Sequence, residues 1–189
     1  MLATVTGAVG VFAIAFIILL YTVGQSLGTL NDISNGLLGI LLGVSALLLY
    51  SQVRPQAPVL SLAGLILALI GAVAVPIGSV LVVSGRMGWF QAGYYTSAGF
   101  GLLGLWLLGL NAVVDQGNGC PLGLIVAGPV IDGIMALGLV AIPGVFTRVD
   151  NWEASPWYVR FVGLAASSMG WLILYPIWLI LVGRLFLRT

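Results

Sequence analysis

The sequence has 189 residues, of which 61% are hydrophobic and only 6% are charged. Soluble domains carry about 25% charged residues, so this chain has too few charges to cover a water-exposed surface. We therefore expect an integral membrane protein whose main partner is the lipid bilayer. Six arginines and five acidic residues leave a net charge of +1, and no basic run supports nucleic-acid binding.

Residue types missing from the sequence exclude several kinds of chemistry. The chain has no histidine and no lysine. This removes histidine-ligated haem or zinc, and it removes a Schiff base with retinal or pyridoxal phosphate. The single Cys120 can form neither an intrachain disulfide nor a cysteine cluster. Because the sequence also lacks a motif of paired acids or a nucleophilic serine, we expect neither an enzyme nor a resident cofactor.

The apolar residues fall into six runs separated by short polar links. Each run is continuous rather than alternating, and its length suits a membrane helix better than a barrel strand. This pattern indicates an all-α protein with one domain, residues 1–189, whose six transmembrane helices form three antiparallel hairpins. The predicted spans are 4–23, 34–50, 59–83, 89–114, 121–146 and 158–187.

The charged residues near the predicted spans bear on orientation and localisation. The N-terminus lacks the positive region of a signal peptide, so the first run is expected to be a retained helix. Three arginines fall on each side of the predicted membrane, but Arg184 and Arg188 lie close to the last span. Basic residues next to a span favour the cytoplasmic side. We therefore expect a multi-pass protein of a bacterial cytoplasmic membrane with both termini in the cytoplasm.

Small residues predict where the helices pack closely. Helices in lipid associate through backbone contact at glycine, alanine and serine. Gly64, Gly71 and Gly78 repeat every seven residues along one side of the third helix. The glycines of the fifth helix recur every five residues and so rotate around its axis. We expect that helix to be central and approached from several sides.

Two apolar segments carry a resemblance to a known family. They are LWLLGLN at residues 105–111 and YPIWLILVGR at residues 175–184. With these segments the chain resembles a domain-of-unknown-function family of uncharacterised bacterial six-helix membrane proteins. The resemblance implies six helices and implies no activity.

Asp132 is the single charge in the apolar run 121–146. An ionised carboxylate at mid-bilayer costs roughly 2.5–3.5 kcal/mol, so such a residue is usually either functional or paired. Pro129 removes a backbone donor and Gly133 permits bending, which predicts a broken helix beside the carboxylate, as in transporter ion sites. Asp132 is therefore interpreted as a site for a proton or a cationic ligand. The alternative is structural: a neutral carboxyl group that donates a hydrogen bond to a neighbouring helix.

Two further groups are candidates for ligand contacts. Gln91 and Tyr95 lie at the start of the fourth helix, where a spacing of four residues puts them on one side. Ser168 and Tyr175 share one face of the sixth helix. The alternatives are interfacial aromatic packing for the first group and helix packing for the second. Asn111, at the other end of the fourth helix, is interpreted as a C-terminal cap.

Two functional hypotheses remain open. The first is binding or transport of a small molecule, a proton or a cation at Asp132. The second is a non-catalytic accessory or scaffold subunit of a membrane complex, which the small-residue faces and the scarcity of polar residues favour. The partners beyond lipid are accordingly a small ligand, other membrane subunits or further copies of the chain.

Overall fold

The structure, a computed structural model, describes residues 2–22, 26–113, 122–147 and 149–186. These residues contain helices and no strand. A 3-10 turn, Leu137–Ala141, joins α5 to α6, and two π-helical segments, Val159–Ala166 and Met169–Leu174, precede α7. The α-helices are α1 Leu2–Thr22, α2 Ser26–Val53, α3 Pro58–Val83, α4 Trp89–Val113, α5 Leu122–Ala136, α6 Ile142–Thr147 and α7 Tyr175–Phe186.

Five helical stretches of the described chain are long and apolar enough to cross a membrane. Their outer faces carry large apolar side chains, such as Val59 and Phe146, which are 81% and 79% exposed. Such a surface is compatible with a multi-pass membrane protein. The helices themselves confirm the all-α class. The five stretches are Leu27–Val53, Pro58–Val83, Trp89–Val113, Ile125–Thr147 and Val159–Arg184.

The first helix contributes a shorter apolar stretch, Val5–Leu19, within the described residues. The count of six spans and their grouping into three hairpins therefore stay predictions. Cys120 and Arg188 lie outside the described residues, as do the predicted span ends at 23, 114, 121 and 187.

Two details of the predicted helices are wrong. Residues 26–33, predicted mainly as a polar link, form the first turns of α2, and Asn31 and Asp32 among them face the bundle interior. The helix also does not break at Pro129 or Gly133, since α5 continues through both residues. The change to a 3-10 turn comes later, where Gly138 packs against the backbone of α4 at Ser97.

The helices enclose a common interior because helices that are consecutive in the chain pack together and the first helix contacts the last one. Helix α3 lies against both α2 and α4, α5 packs on α4, and α1 contacts both α2 and α7. The buried core includes Leu42, Leu103 and Met135. At its centre, the rings of Phe100 and Trp171 stack with their centroids 4.5 Å apart.

The predicted glycine seam on the third helix is confirmed as a contact between α3 and α4. A Cβ atom added at Gly71 would lie 2.5 Å from the carbonyl oxygen of Gly99. Gly78 likewise approaches the carbonyl of Ala92, and Gly64 contacts the ring of Trp106. Backbone atoms of the two helices therefore touch along this seam, as small-residue packing in lipid requires.

Candidate functional site

Asp132 lies on the inward face of α5 and is 1% exposed. The side-chain amide of Asn111, on α4, donates a hydrogen bond of 2.6 Å to Asp132 Oδ2. The other carboxylate oxygen, Oδ1, is buried without a hydrogen-bond partner among the described residues. Asn111 was expected to cap its own helix, and the structure shows that its side-chain amide also reaches across to α5.

Tyr175 completes the surroundings of Asp132 from the last span. Its side chain is 2% exposed and close enough to Asp132 for an electrostatic interaction. The Tyr175 ring stacks on Trp178, with centroids 6.0 Å apart. Asp132 is therefore surrounded by neutral polar groups and apolar core. Such a carboxyl group can hold and release a proton, or join α4 to α5 through its hydrogen bond to Asn111.

A second site lies nearer the end of the bundle that carries the α3–α4 loop. It is a cavity of about 210 Å³ between α1, α2, α3, α4 and the last span, which we call the polar cavity. Aromatic rings line part of its wall: Trp89, Phe90, Trp152 and Trp171. Its polar lining includes Asp32, Asn35, Ser79, Thr96, Ser97 and Ser168.

Two deeply buried polar groups in the lining of the polar cavity lack hydrogen-bond partners. Asn31 donates to the carbonyl oxygen of Ala13 at 2.9 Å, and Asn35 donates to Asn31 Oδ1 at 3.1 Å. This chain of bonds uses the amide nitrogens and leaves Asn35 Oδ1 as an unpartnered acceptor. Trp171 Nε1 is an unpartnered donor in the same lining. The residues that line the polar cavity thus include one unsatisfied acceptor and one unsatisfied donor.

The segment between α6 and the last span covers one side of the polar cavity. Asp150 Oδ1 accepts a hydrogen bond of 3.1 Å from the backbone nitrogen of Gln91. The hydroxyl groups of Tyr94 and Ser155 also share a hydrogen bond. These two contacts hold the segment on the start of α4 and so place Trp152 against Phe90, with ring centroids 5.9 Å apart.

The five site residues predicted from the sequence fall in three places. Asp132 and Tyr175 come together in the bundle interior, whereas Ser168 lines the polar cavity. Gln91 is engaged through its backbone with Asp150, and Tyr95 packs on α3 beside Gly78. Neither Gln91 nor Tyr95 is part of the described cavity lining.

The sequence interpretation missed the contribution of α2 to the polar cavity. Asn31 and Asp32 fall in the predicted polar link and Asn35 in the predicted span 34–50, yet their spacing of three and four residues is helical. That spacing was the signal for a polar helix face. It was hidden because the neighbouring glycine and serine residues are also typical of loops.

Comparisons with known proteins found no match for this chain. No protein-family model matches the chain, and neither a curated protein nor a solved structure matches it. Within the described ranges, no group of three or more acidic, cysteine or histidine side chains could hold a metal ion. The side chains of the two sites provide hydrogen bonding, carboxylate charge and aromatic contact.

Proposed function

We propose that this chain is an integral membrane protein with six spans that binds or transports a small molecule, a proton or a cation through its bundle interior. The observation that supports this best is the pair of unpartnered groups in the polar cavity, Asn35 Oδ1 and Trp171 Nε1. A buried polar group without a partner costs about 1–3 kcal/mol. A ligand that supplies both partners recovers that cost when it binds.

Asp132 is the deeper site of the proposed function. The last span connects the two places, because Ser168 and Trp171 line the polar cavity and Tyr175 lies one turn further on, beside Asp132. Trp171 also stacks on Phe100 in the buried core. In a transport cycle, a proton or ligand would move from the polar cavity to Asp132.

Ligand binding in the polar cavity is tested by the thermal unfolding of purified protein in mild detergent. A panel of monocyclic amines, alcohols and carboxylates serves as probes. We expect at least one class to raise Tm, because a ligand that binds the folded state stabilises it. The Ser168→Phe variant, which fills the cavity, should lose that rise. A panel in which no class raises Tm would contradict the binding of a small molecule in the polar cavity.

The accessory or scaffold subunit is the second candidate. The hydrogen bond from Asn111 to Asp132 supports it, because it joins α4 to α5 without needing a ligand. Purification from the native membrane in mild detergent separates the candidates. Other membrane chains recovered at a fixed ratio favour the scaffold, whereas a protein that purifies alone favours binding or transport. The proposed bacterial membrane location and the six-helix family resemblance belong with either candidate.

A further inference from the structure

We propose that the polar cavity takes a small organic amine, whose protonated ammonium group is held between Asp32 and Asn35. The proposal rests on the proposed function, since it names the ligand class of the same cavity. It starts from the acceptors on α2. Asp32 and Asn35 are three residues apart on one helix, so their side chains share a face, and both line the cavity.

Both acceptors lack a partner among the described residues. Asn35 is 5% exposed, and its Oδ1 has no hydrogen-bond partner. The orientation of this amide is fixed, because its nitrogen donates to Asn31 Oδ1. Asp32 is half-buried and has no hydrogen-bond or ion-pair partner among the described residues. An ammonium group carries three N–H donors, which suits a carboxylate next to an amide oxygen.

The charges around the polar cavity favour a cation over an anion. Asp32 is the one charged residue in the described lining. The guanidinium group of Arg160 lies over the rings of Trp152 and Phe161, at 5.9 and 5.6 Å from their centroids, and is not part of that lining. Glu153 and Arg86 are exposed on the surface. An anionic ligand would therefore meet Asp32 without a facing cation.

The walls favour an organic cation over a bare metal ion. Affinity for a metal such as Ca²⁺ rises with the number of charged oxygen ligands, and this lining supplies one carboxylate. The aromatic rings attract an ammonium group through their faces and pack against an apolar body. Trp171 Nε1 adds a donor for an acceptor atom elsewhere on the ligand. The volume of 210 Å³ equals that of about seven water molecules, enough for a single-ring amine.

The test measures the binding of 2-phenylethylamine to purified protein in detergent by isothermal titration. The uncharged 2-phenylethanol and the anionic phenylacetate have similar size and shape and serve as matched ligands. We compare the wild type with Asp32→Asn, which keeps the shape of the side chain, and with Glu153→Gln, which removes an exposed acid outside the cavity. Circular dichroism and gel filtration check that each variant is folded.

We expect the amine to bind wild type and Glu153→Gln equally, and to bind Asp32→Asn at least about tenfold more weakly, since a charge-assisted hydrogen bond is lost. Equal affinity for the alcohol or phenylacetate, or unchanged amine binding by folded Asp32→Asn, overturns the amine assignment and leaves the proposed function standing. If none of the three ligands binds and the wider panel also leaves Tm unchanged, the amine assignment and the binding of small molecules in the polar cavity both fail.

Discussion

Asp132 combines deep burial with incomplete hydrogen bonding. One carboxylate oxygen accepts from Asn111 at 2.6 Å, and the other is buried without a partner among the described residues. A residue that only joins two helices gains nothing from the unpartnered oxygen, which costs about 1–3 kcal/mol. Under the proposed function, this oxygen is the one that receives a proton or a ligand. The hydrogen bond to Asn111 then acts to orient the carboxyl group.

Replacement of Asp132 by asparagine separates these two roles. The amide oxygen of Asp132→Asn can still accept from Asn111, so we expect the variant to fold with an unchanged Tm. It cannot exchange a proton, so proton flux should fall at least about tenfold if Asp132 is the carrier. The measurement is decay of an imposed pH gradient in liposomes loaded with a pH-sensitive dye, with Glu153→Gln as control. Equal flux through folded Asp132→Asn and wild type would exclude this role.

At the scale of helices, packing follows the positions where backbones meet. Gly71 and Gly99 face each other on α3 and α4, and each leaves no room for a side chain. Gly133 on α5 differs, because a Cβ atom placed there meets nothing within 4 Å. Two helical glycines in one bundle thus occupy opposite environments, although the sequence around both is apolar.

The variants Gly71→Ala and Gly133→Ala should therefore change stability in opposite directions. A methyl group at residue 71 would push α3 away from α4, and overpacking of this kind costs about 1–3 kcal/mol. At residue 133 the methyl group has space, and alanine favours a helix over glycine by up to about 1 kcal/mol. The free energy of unfolding of both variants is measured in mixed micelles with increasing SDS. A Gly71→Ala protein as stable as wild type would contradict the close contact of the seam.

The sequence predicts a helix well where its own residues decide the bounds, and poorly where contacts with other helices decide them. The bounds of α3, Pro58–Val83, agree with the predicted 59–83 because a long apolar run between polar turns decides them. The start of α2 was missed because Asn31 and Asn35 face a polar interior that exists only once the bundle has formed. Likewise, Pro129 was expected to break the helix. Its lost hydrogen bond is tolerated, since α5 continues through Pro129, as membrane helices often do.

For the candidate site, the sequence indicated single residues and missed their partners. Asp132 was predictable because one charge in an apolar run is costly wherever it lies. Its partner Asn111 was not, because the two are 21 residues apart and meet only through the packing of α4 on α5. Asp32 was missed because a carboxylate beside glycine and serine is also typical of a turn.

At the scale of the whole molecule, the two sites lie at different depths. The polar cavity is lined by the first half of α2, the last turns of α3 and the first half of α4, so it lies toward the α3–α4 loop. Asn111 and Trp178 place Asp132 nearer the opposite end. A ligand would therefore enter the polar cavity from one side of the membrane. The membrane topology determines which side this is, and so whether the ligand comes from outside the cell or from the cytoplasm.

The topology is tested by single cysteines introduced into a Cys120→Ser background and labelled with a membrane-impermeant maleimide. With six spans and cytoplasmic termini, the loops at Arg86 and Glu153 lie outside, and the loop at Gln56 lies inside. We expect Arg86→Cys and Glu153→Cys to be labelled in intact cells, and Gln56→Cys only after permeabilisation. An N-terminal tag should, like Gln56→Cys, be inaccessible in intact cells, because α1 and α2 would then both cross the membrane. A tag exposed together with Glu153→Cys would show that α1 does not cross. The reverse labelling pattern would place the opening of the polar cavity toward the cytoplasm.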